Sequence, residues 1–183
     1  MNELTKGTLL IAEPFLNDPN FQRTVVLMCE HDDEGTFGFV LNRLYKKRLN
    51  ELFPPLSKMD LPLFYGGPVD ENSLHFIHLL PNDIPGGVEV LPGVFWSGNY
   101  EAMVSTLQAD PTKAKMIRFF LGYSGWGAGQ LDQEMQEKTW ITLPATESLI
   151  FKTSHASIWQ EALKTLGGEY KQMINYPKDL RSN

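Results

Sequence analysis

No stretch of this chain approaches the roughly 20 consecutive apolar residues that a bilayer-spanning helix needs. Near the amino terminus the apolar stretch is Leu9 to Ala12, behind a single lysine, so the layout of a cleaved secretion signal is missing too. The expected address is the cytoplasm, with no membrane association. Cysteine is almost absent: Cys29 has no second thiol with which to form an internal disulfide, which fits a reducing compartment. Positive charge is in deficit, with 16 Lys+Arg against 22 Asp+Glu and a formal charge of -6. That sign opposes what counterion release from a phosphate backbone rewards, so direct nucleic-acid binding is disfavoured. Repeats, low-complexity tracts and linkers are lacking as well, and the 12 prolines and 15 glycines are spread as turn punctuation. One domain over residues 1–183 is expected, long enough to bury roughly 70% of the surface its unfolded form exposes.

What is present reads first as strands. Residues 8–12, 24–31 and 37–42 fit strands, with Asp32-Asp33-Glu34-Gly35 as a hairpin turn. Val25 to Cys29 is apolar without alternation, the pattern of a strand covered on both faces. Residues 14–21 read as a surface loop around Asn17-Asp18-Pro19-Asn20, and 47–53 as a short helix. Strands are expected at 61–65 and 74–80, and a hairpin at 88–91 and 93–96. Asn99 is placed to cap a helix that runs to about 109, buries Met103, Val104 and Leu107, and stops at Asp110-Pro111. Residues 115–123 read as a strand leading to a glycine-rich turn and a helix over 128–138. Further strands are expected at 140–143 and 149–151, then an amphipathic helix over 155–166 closed by Gly167-Gly168. From Glu169 a weaker helical tail ends near Pro177. Strand runs interrupted by a few helices argue for α+β.

The glycine-rich stretch Gly122-Tyr123-Ser124-Gly125-Trp126-Gly127-Ala128-Gly129-Gln130 carries the most information. It is not a nucleophile elbow, because Trp126 stands where close backbone approach demands glycine, and Ser124 reads as structural. It is not a dinucleotide fingerprint either, because Gln130 stands where a third glycine or alanine is required. A glycine-rich turn at a helix start does offer backbone N–H groups to a small anion or a partner's carboxylate. His75 and His78 fall on opposite faces of a strand, so no metal site is expected there. Cys29 reads as a small buried hydrophobe. Glu30, Asp32, Asp33 and Glu34 read as a solvated hairpin tip, and Arg43, Lys46, Lys47 and Arg48 as a solvated basic loop. The four tryptophans, Trp96, Trp126, Trp140 and Trp159, read as packing anchors.

Several motifs in order and spacing resemble the AlgH/YqgE family of bacterial proteins. They are Leu10-Ile11-Ala12, Asp18-Pro19-Asn20-Phe21, Arg23-Thr24-Val25-Val26, Cys29-Glu30-His31, Glu34-Gly35, Asn42-Arg43, Gly66-Gly67-Pro68-Val69 and residues 122–131. The resemblance covers most of the chain. It implies a compact α+β fold whose mostly antiparallel, bifurcated sheet curls into a pseudo-barrel with flanking helices. It also implies the transcription-associated regulatory label that members carry, with their biochemical activity unassigned. The sequence departs from the family pattern at Glu13, where methionine is frequent, at Leu44, where proline usually follows the asparagine-arginine pair, and in the segment Asn175 to Asp179.

With no complete catalytic set legible, the expected function is regulatory binding of a protein partner or a small anion rather than catalysis, with no cofactor. The candidate binding residues are Arg23, Glu30, His31, Asn42 and Arg43 around the first strands, and Tyr123, Ser124, Trp126 and Gln130 in the glycine-rich stretch. They share a pocket if those elements adjoin. Two alternatives stand beside this reading: a small-anion binder or enzyme that uses the arginines with the helix start near Ala128, and a direct DNA-binding transcription factor, for which no recognition helix or basic arm is legible.

Overall fold

The continuously apolar run at Val25 forms β2 (Val25–Asp32), and Val25 through Met28 are wholly buried. In this computed structural model, which describes residues 4–176, the two faces of β2 enter different cores. Val25, Leu27 and Cys29 join one cluster with Leu9, Ile11 and Phe39, while Val26 and Met28 join another with Leu10, Ala12, Trp126 and Trp140. A strand with two apolar faces has no alternation to show, which is why its sequence reads as a block. β2 turns back into β3 (Gly35–Val40) through a tight turn in which the Asp32 carboxylate accepts from the backbone of Glu34 and Gly35, at 2.8 and 3.1 Å. On the other side lie β1 (Thr8–Ala12) and then the edge strand β9 (Trp140–Pro144).

The other half of the sheet is organised by β8 (Ile117–Gly127), eleven residues long. Its first part is flanked by β4 (Leu63–Tyr65), which runs parallel to it, and by β5 (Val69–His78), which runs antiparallel. From Ser124 to Gly127 it pairs instead with β3. β7 (Val94–Trp96) and β6 (Val88–Leu91) extend the sheet beyond β5, giving nine strands in all, antiparallel among the described residues except at β4–β8. The sheet therefore forks at β8, and it also curls. Its far strand returns toward the start of β1, where the Lys6 ammonium reaches the Glu89 carbonyl at 2.9 Å. The result is an antiparallel half-barrel with helices around it, as the α+β expectation and the family resemblance require.

Among the described residues five short α-helices pack on this frame. α1 (Leu49–Leu52) leads to β4, and α2 (Tyr100–Ala109) is capped by the Asn99 side chain and buries Met103 and Leu107, with Val104 only partly covered. α3 (Gln130–Gln136) lies against β8 and β9. α4 (Ile158–Leu166) drops Ile158, Trp159, Ala162 and Leu163 into the central core, and Gly167 closes it with φ of +72°. α5 (Tyr170–Met173) follows, and the tail end expected near Pro177 lies outside the described residues.

Four expectations change. The glycine-rich stretch is the end of β8 and not a turn; only Ala128 and Gly129 turn. α3 begins two residues later than expected, because the Gly127 N–H is taken by the Gln130 side chain at 3.1 Å and Gly129 is left-handed, with φ of +70°. Residues 149–151 are not a strand. They lie in a π turn, Ser148–Lys152, that starts where the Thr146 hydroxyl accepts from the Leu149 N–H at 3.2 Å. The last long helix starts at Ile158, so His155 precedes it on a turn.

One glycine of β8 is explained by the fork. Gly122 has φ of +66°, and a Cβ there would lie 2.5 Å from the Gly67 carbonyl oxygen. We expect Gly122→Ala to cost about 3 kcal/mol in urea denaturation, combining left-handed strain with overpacking. A loss under about 1 kcal/mol would show that the fork tolerates a wider gap. A second prediction comes from His78, which is completely buried. Its Nε2–H donates to the Ser97 carbonyl at 2.8 Å and its Nδ1 accepts from the Leu80 N–H at 3.1 Å, which fixes the neutral ring. Burial holds its pKa below the ordinary value of 6.5. The unfolded chain therefore takes up the proton first, and stability that is complete above pH 6.5 declines as the pH falls toward the folded value. The urea midpoint is expected to drop between pH 7 and pH 5 and to drop less in His78→Gln; equal slopes would assign the effect elsewhere.

Candidate functional site

Beyond Val40 the chain leaves β8, because β4 now occupies the place beside that strand. Residues 41–44 run on as a separate ledge. Leu41 N–H still donates to the Val25 carbonyl at 2.8 Å, and the Arg43 carbonyl accepts from Tyr65 N–H at 2.8 Å. The Asn42 side chain does the work of a missing backbone rung: its Oδ1 accepts from Val25 N–H and its Nδ2 donates to the Arg23 carbonyl, both at 2.9 Å. Asn42 thus fixes Arg23 and Arg43 on neighbouring strand ends. Arg23 is left-handed, with φ of +53°, a conformation that costs a non-glycine residue about 1–3 kcal/mol.

Three guanidinium groups gather here. Arg23 lies over the Trp159 ring, 4.8 Å from its centre, and donates to the Tyr176 carbonyl, while its Nε is buried with no hydrogen-bond partner among the described residues. Trp159 is fixed in turn by its indole N–H on the Ala12 carbonyl at 2.9 Å. Arg43 reaches the Gln22 carbonyl only at 3.5 Å. Arg118, from β8, reaches the Leu41 carbonyl at 3.4 Å and lies 4.9 Å from the centre of the Phe64 ring. Among the described residues none of the three has a carboxylate within ion-pair distance; Asp18 acts on Arg43 only through space. Desolvation lowers the pKa of all three, that of Arg118 to about 10, so each is still a cation at neutral pH.

These groups line two adjoining cavities. The first, of about 470 Å³, has Arg23, Asn42, Arg43, Trp159 and Gln160 in its wall. The second, of about 480 Å³, has Arg118 with Leu44, Phe64, Phe119 and Phe151. His155 belongs to both walls, and among the described residues neither wall contains Asp or Glu.

The remaining candidates lie at the opposite end of the hairpin. Glu30 pairs with Phe37 and Phe37 with Gly125, while His31 pairs with Thr36 and Thr36 with Trp126. Glu30, Tyr123 and Trp126 border a shallow depression with Asp32 and Glu34. The His31 ring bonds the Thr36 hydroxyl at 2.6 Å. Ser124 is buried and donates to the Gly66 carbonyl at 3.0 Å. Trp126 and Trp140 both donate to the Glu134 carboxylate, at 2.9 and 2.7 Å, and Gln130 bonds the same carboxylate at 2.9 Å. So the first-strand motifs divide: Arg23, Asn42 and Arg43 form one wall, and Glu30 and His31 go with the glycine-rich stretch. A single pocket shared by all nine is not formed, and the start of α3 is at the end away from the arginines.

Arg118, His155 and Glu134 are absent from the sequence-derived set. Arg118 had a legible signal, a lone charge within the apolar run Ile117 to Leu121. The other two are brought in only by tertiary contact. Among the described residues no three His, Cys, Asp or Glu side chains gather closely enough to hold a metal ion, and none of the helices is long and apolar enough to cross a membrane.

Comparison with known proteins adds a family. A family model described as AlgH-like matches residues 9–171. A UPF0301 protein of Chlorobium limicola is 41% identical over 177 residues, spanning 97% of this chain and 95% of its own. One from Cytophaga hutchinsonii is 40% identical over 183 residues, spanning 98% and 100%. Among solved structures, the AlgH protein from Pseudomonas aeruginosa superposes with a TM-score of 0.72 at 28% identity, covering 97% of this chain and 98% of that one. A Corynebacterium diphtheriae protein superposes with a TM-score of 0.81 at 21% identity over 96% and 94%, a likeness of fold alone.

Two substitutions separate frame from cleft. Arg118→Met removes an unpaired, desolvated charge at similar volume, so stability in urea is expected to be unchanged or to rise by about 1 kcal/mol. A loss of more than about 2 kcal/mol would make the guanidinium a structural strut. Glu134→Ala strips two indoles of a charged acceptor and is expected to cost about 2–3 kcal/mol, with altered tryptophan fluorescence, while Glu134→Gln keeps most of that stability.

Proposed function

This chain belongs to the AlgH-like family, and from that premise we propose that it is a cytoplasmic regulatory protein that acts by binding a small anion in the cleft of Arg23, Arg43 and Arg118, without catalysing a reaction. The observation that carries the reading is that three partly buried guanidiniums face no carboxylate among the described residues of a chain whose formal charge is -6. Uncompensated buried charge is costly, and a fold with 22 acidic side chains had many ways to neutralise it. Guanidinium forks match carboxylate and phosphate geometry, and partial desolvation strengthens that interaction.

Binding is favoured over catalysis by what surrounds the cations. Among the described residues the cleft wall offers amides, aromatic rings and His155, but no carboxylate that would orient an imidazole as a general base. The regulatory element rests on the family resemblance. Direct DNA contact fits poorly with an acidic chain whose unpaired arginines are recessed in a concave cleft, so regulation is read as passing through the ligand and a protein partner.

The test is a thermal melt in dilute chloride buffer against phosphate, acetate, nucleotides and a short DNA duplex. An anion at about one hundred times its Kd stabilises by about 2.7 kcal/mol, which raises the melting temperature by about 5–10 °C for a chain of this size. The shift should vanish in Arg43→Ala and in Arg118→Met. If no anion moves the transition, or if both variants keep the full shift, the reading fails; a salt-sensitive shift with duplex alone would support DNA binding instead.

A further inference from the structure

The two cavities that meet at His155 differ in chemistry, and from that difference we infer that the ligand is an amphipathic anion: a carboxylate or phosphate head carrying an alkyl or aromatic body. The inference rests on the anion-binding reading above and adds the class of ligand. The first cavity is polar, with two arginines and amide groups. The second is lined mostly by apolar side chains, among them Leu44, Phe64, Phe119 and Phe151, with Arg48, Lys115 and Arg118 as cations at its wall. Leu44 is 49% exposed at this site, an apolar side chain left in water beside a cavity of ligand size. Phe151 is delivered to the same wall by the π turn, and the Phe64 ring lies between Arg118, at 4.9 Å, and the His155 ring, at 5.8 Å.

Arg118 ties the second cavity to the ledge that borders the first. Its guanidinium bonds the Leu41 carbonyl, on the ledge that also presents Asn42 and Arg43, and the residue lines the second cavity. A head group on this ledge sends its body along Phe64 toward Leu44. Bare phosphate or acetate would leave that apolar surface wet. An apolar body covers it and at the same time excludes water from the guanidiniums, which raises the strength of the head-group contact.

The experiment is isothermal titration at fixed ionic strength with two series: acetate, butyrate and hexanoate, and inorganic phosphate, butyl phosphate and hexyl phosphate. Hexanamide serves as the uncharged control. Affinity is expected to rise about threefold to fourfold per methylene in at least one series, with hexanamide far weaker than hexanoate. Whichever series binds more tightly names the head group. Leu44→Ser and Phe151→Ala, each checked for an intact melting transition, should flatten the rise. Equal affinity along both series would overturn the amphipathic inference while leaving the arginine site standing. Hexanamide binding as well as hexanoate, or a rise unaltered in both variants, would also overturn it. Binding by none of the six anions would remove the underlying reading itself.

Discussion

Everything in this molecule depends on how closely two stretches of backbone approach at the fork of the sheet. Gly66 and Gly67 press against Gly122, Tyr123 and Ser124, so closely that a Cβ on Gly67 would lie 2.3 Å from the Tyr123 carbonyl carbon. The contact is fully bonded: Gly66 N–H donates to Leu121, and its carbonyl accepts from Val40 N–H and from the Ser124 hydroxyl. On one side of this point β8 has β4 for a neighbour, and on the other it has β3. Displaced by β4, the chain after Val40 becomes the ledge on which Asn42 and Arg43 stand, and the same insertion sets Phe64 under Arg118. The cleft is a by-product of the fork.

The sequence disclosed regular elements well and their junctions poorly. β1, the β2–β3 turn, the 88–96 hairpin and the Asn99 cap each follow from short-range chemistry that acts within one element. The glycine-rich stretch was recognisable as unusual, yet its purpose was read as a turn, because the partner that requires Gly122 lies more than fifty residues away, at Gly67. In the same way Ser124 could be called structural but its acceptor could not be named. Residues 149–151 have strand composition, and the preceding threonine overrode it by capping a π turn. Of the residues that line the cleft, Arg23, Asn42 and Arg43 were legible because they lie close together at the end of one hairpin. Arg118 and His155 enter from elements whose adjacency no local pattern encodes.

The division of labour among polar groups follows from what each one has left to give. Glu134 is occupied by two indoles and a glutamine amide, Ser124 by one carbonyl, and Asn42 by two backbone groups; all three hold the frame. The arginines are different. Their bonds are long or incomplete, one Nε is unpartnered, and Arg23 holds a strained backbone conformation besides. Among the described residues left-handed backbone also occurs at Asp70, Ser97 and Lys138, and unpartnered buried nitrogens or oxygens at Asn50, His75 and Trp96, but at Arg23 the two coincide.

The β2–β3 hairpin also arranges charge. Its tip carries Glu30, Asp32, Asp33 and Glu34, and its open end carries Arg23 and Arg43. β2, eight residues long, runs from beside Arg23 to Asp32 in the tip, a span of about 25 Å. At physiological ionic strength a charge is screened within about 8 Å. The two poles are therefore electrically independent in solution, and a small ion near the arginines does not sense the acidic tip. A molecule that migrates as an anion, and that repels other anions at long range in dilute salt, can still present a cationic capture surface to any ion that comes within a few ångströms of the right end.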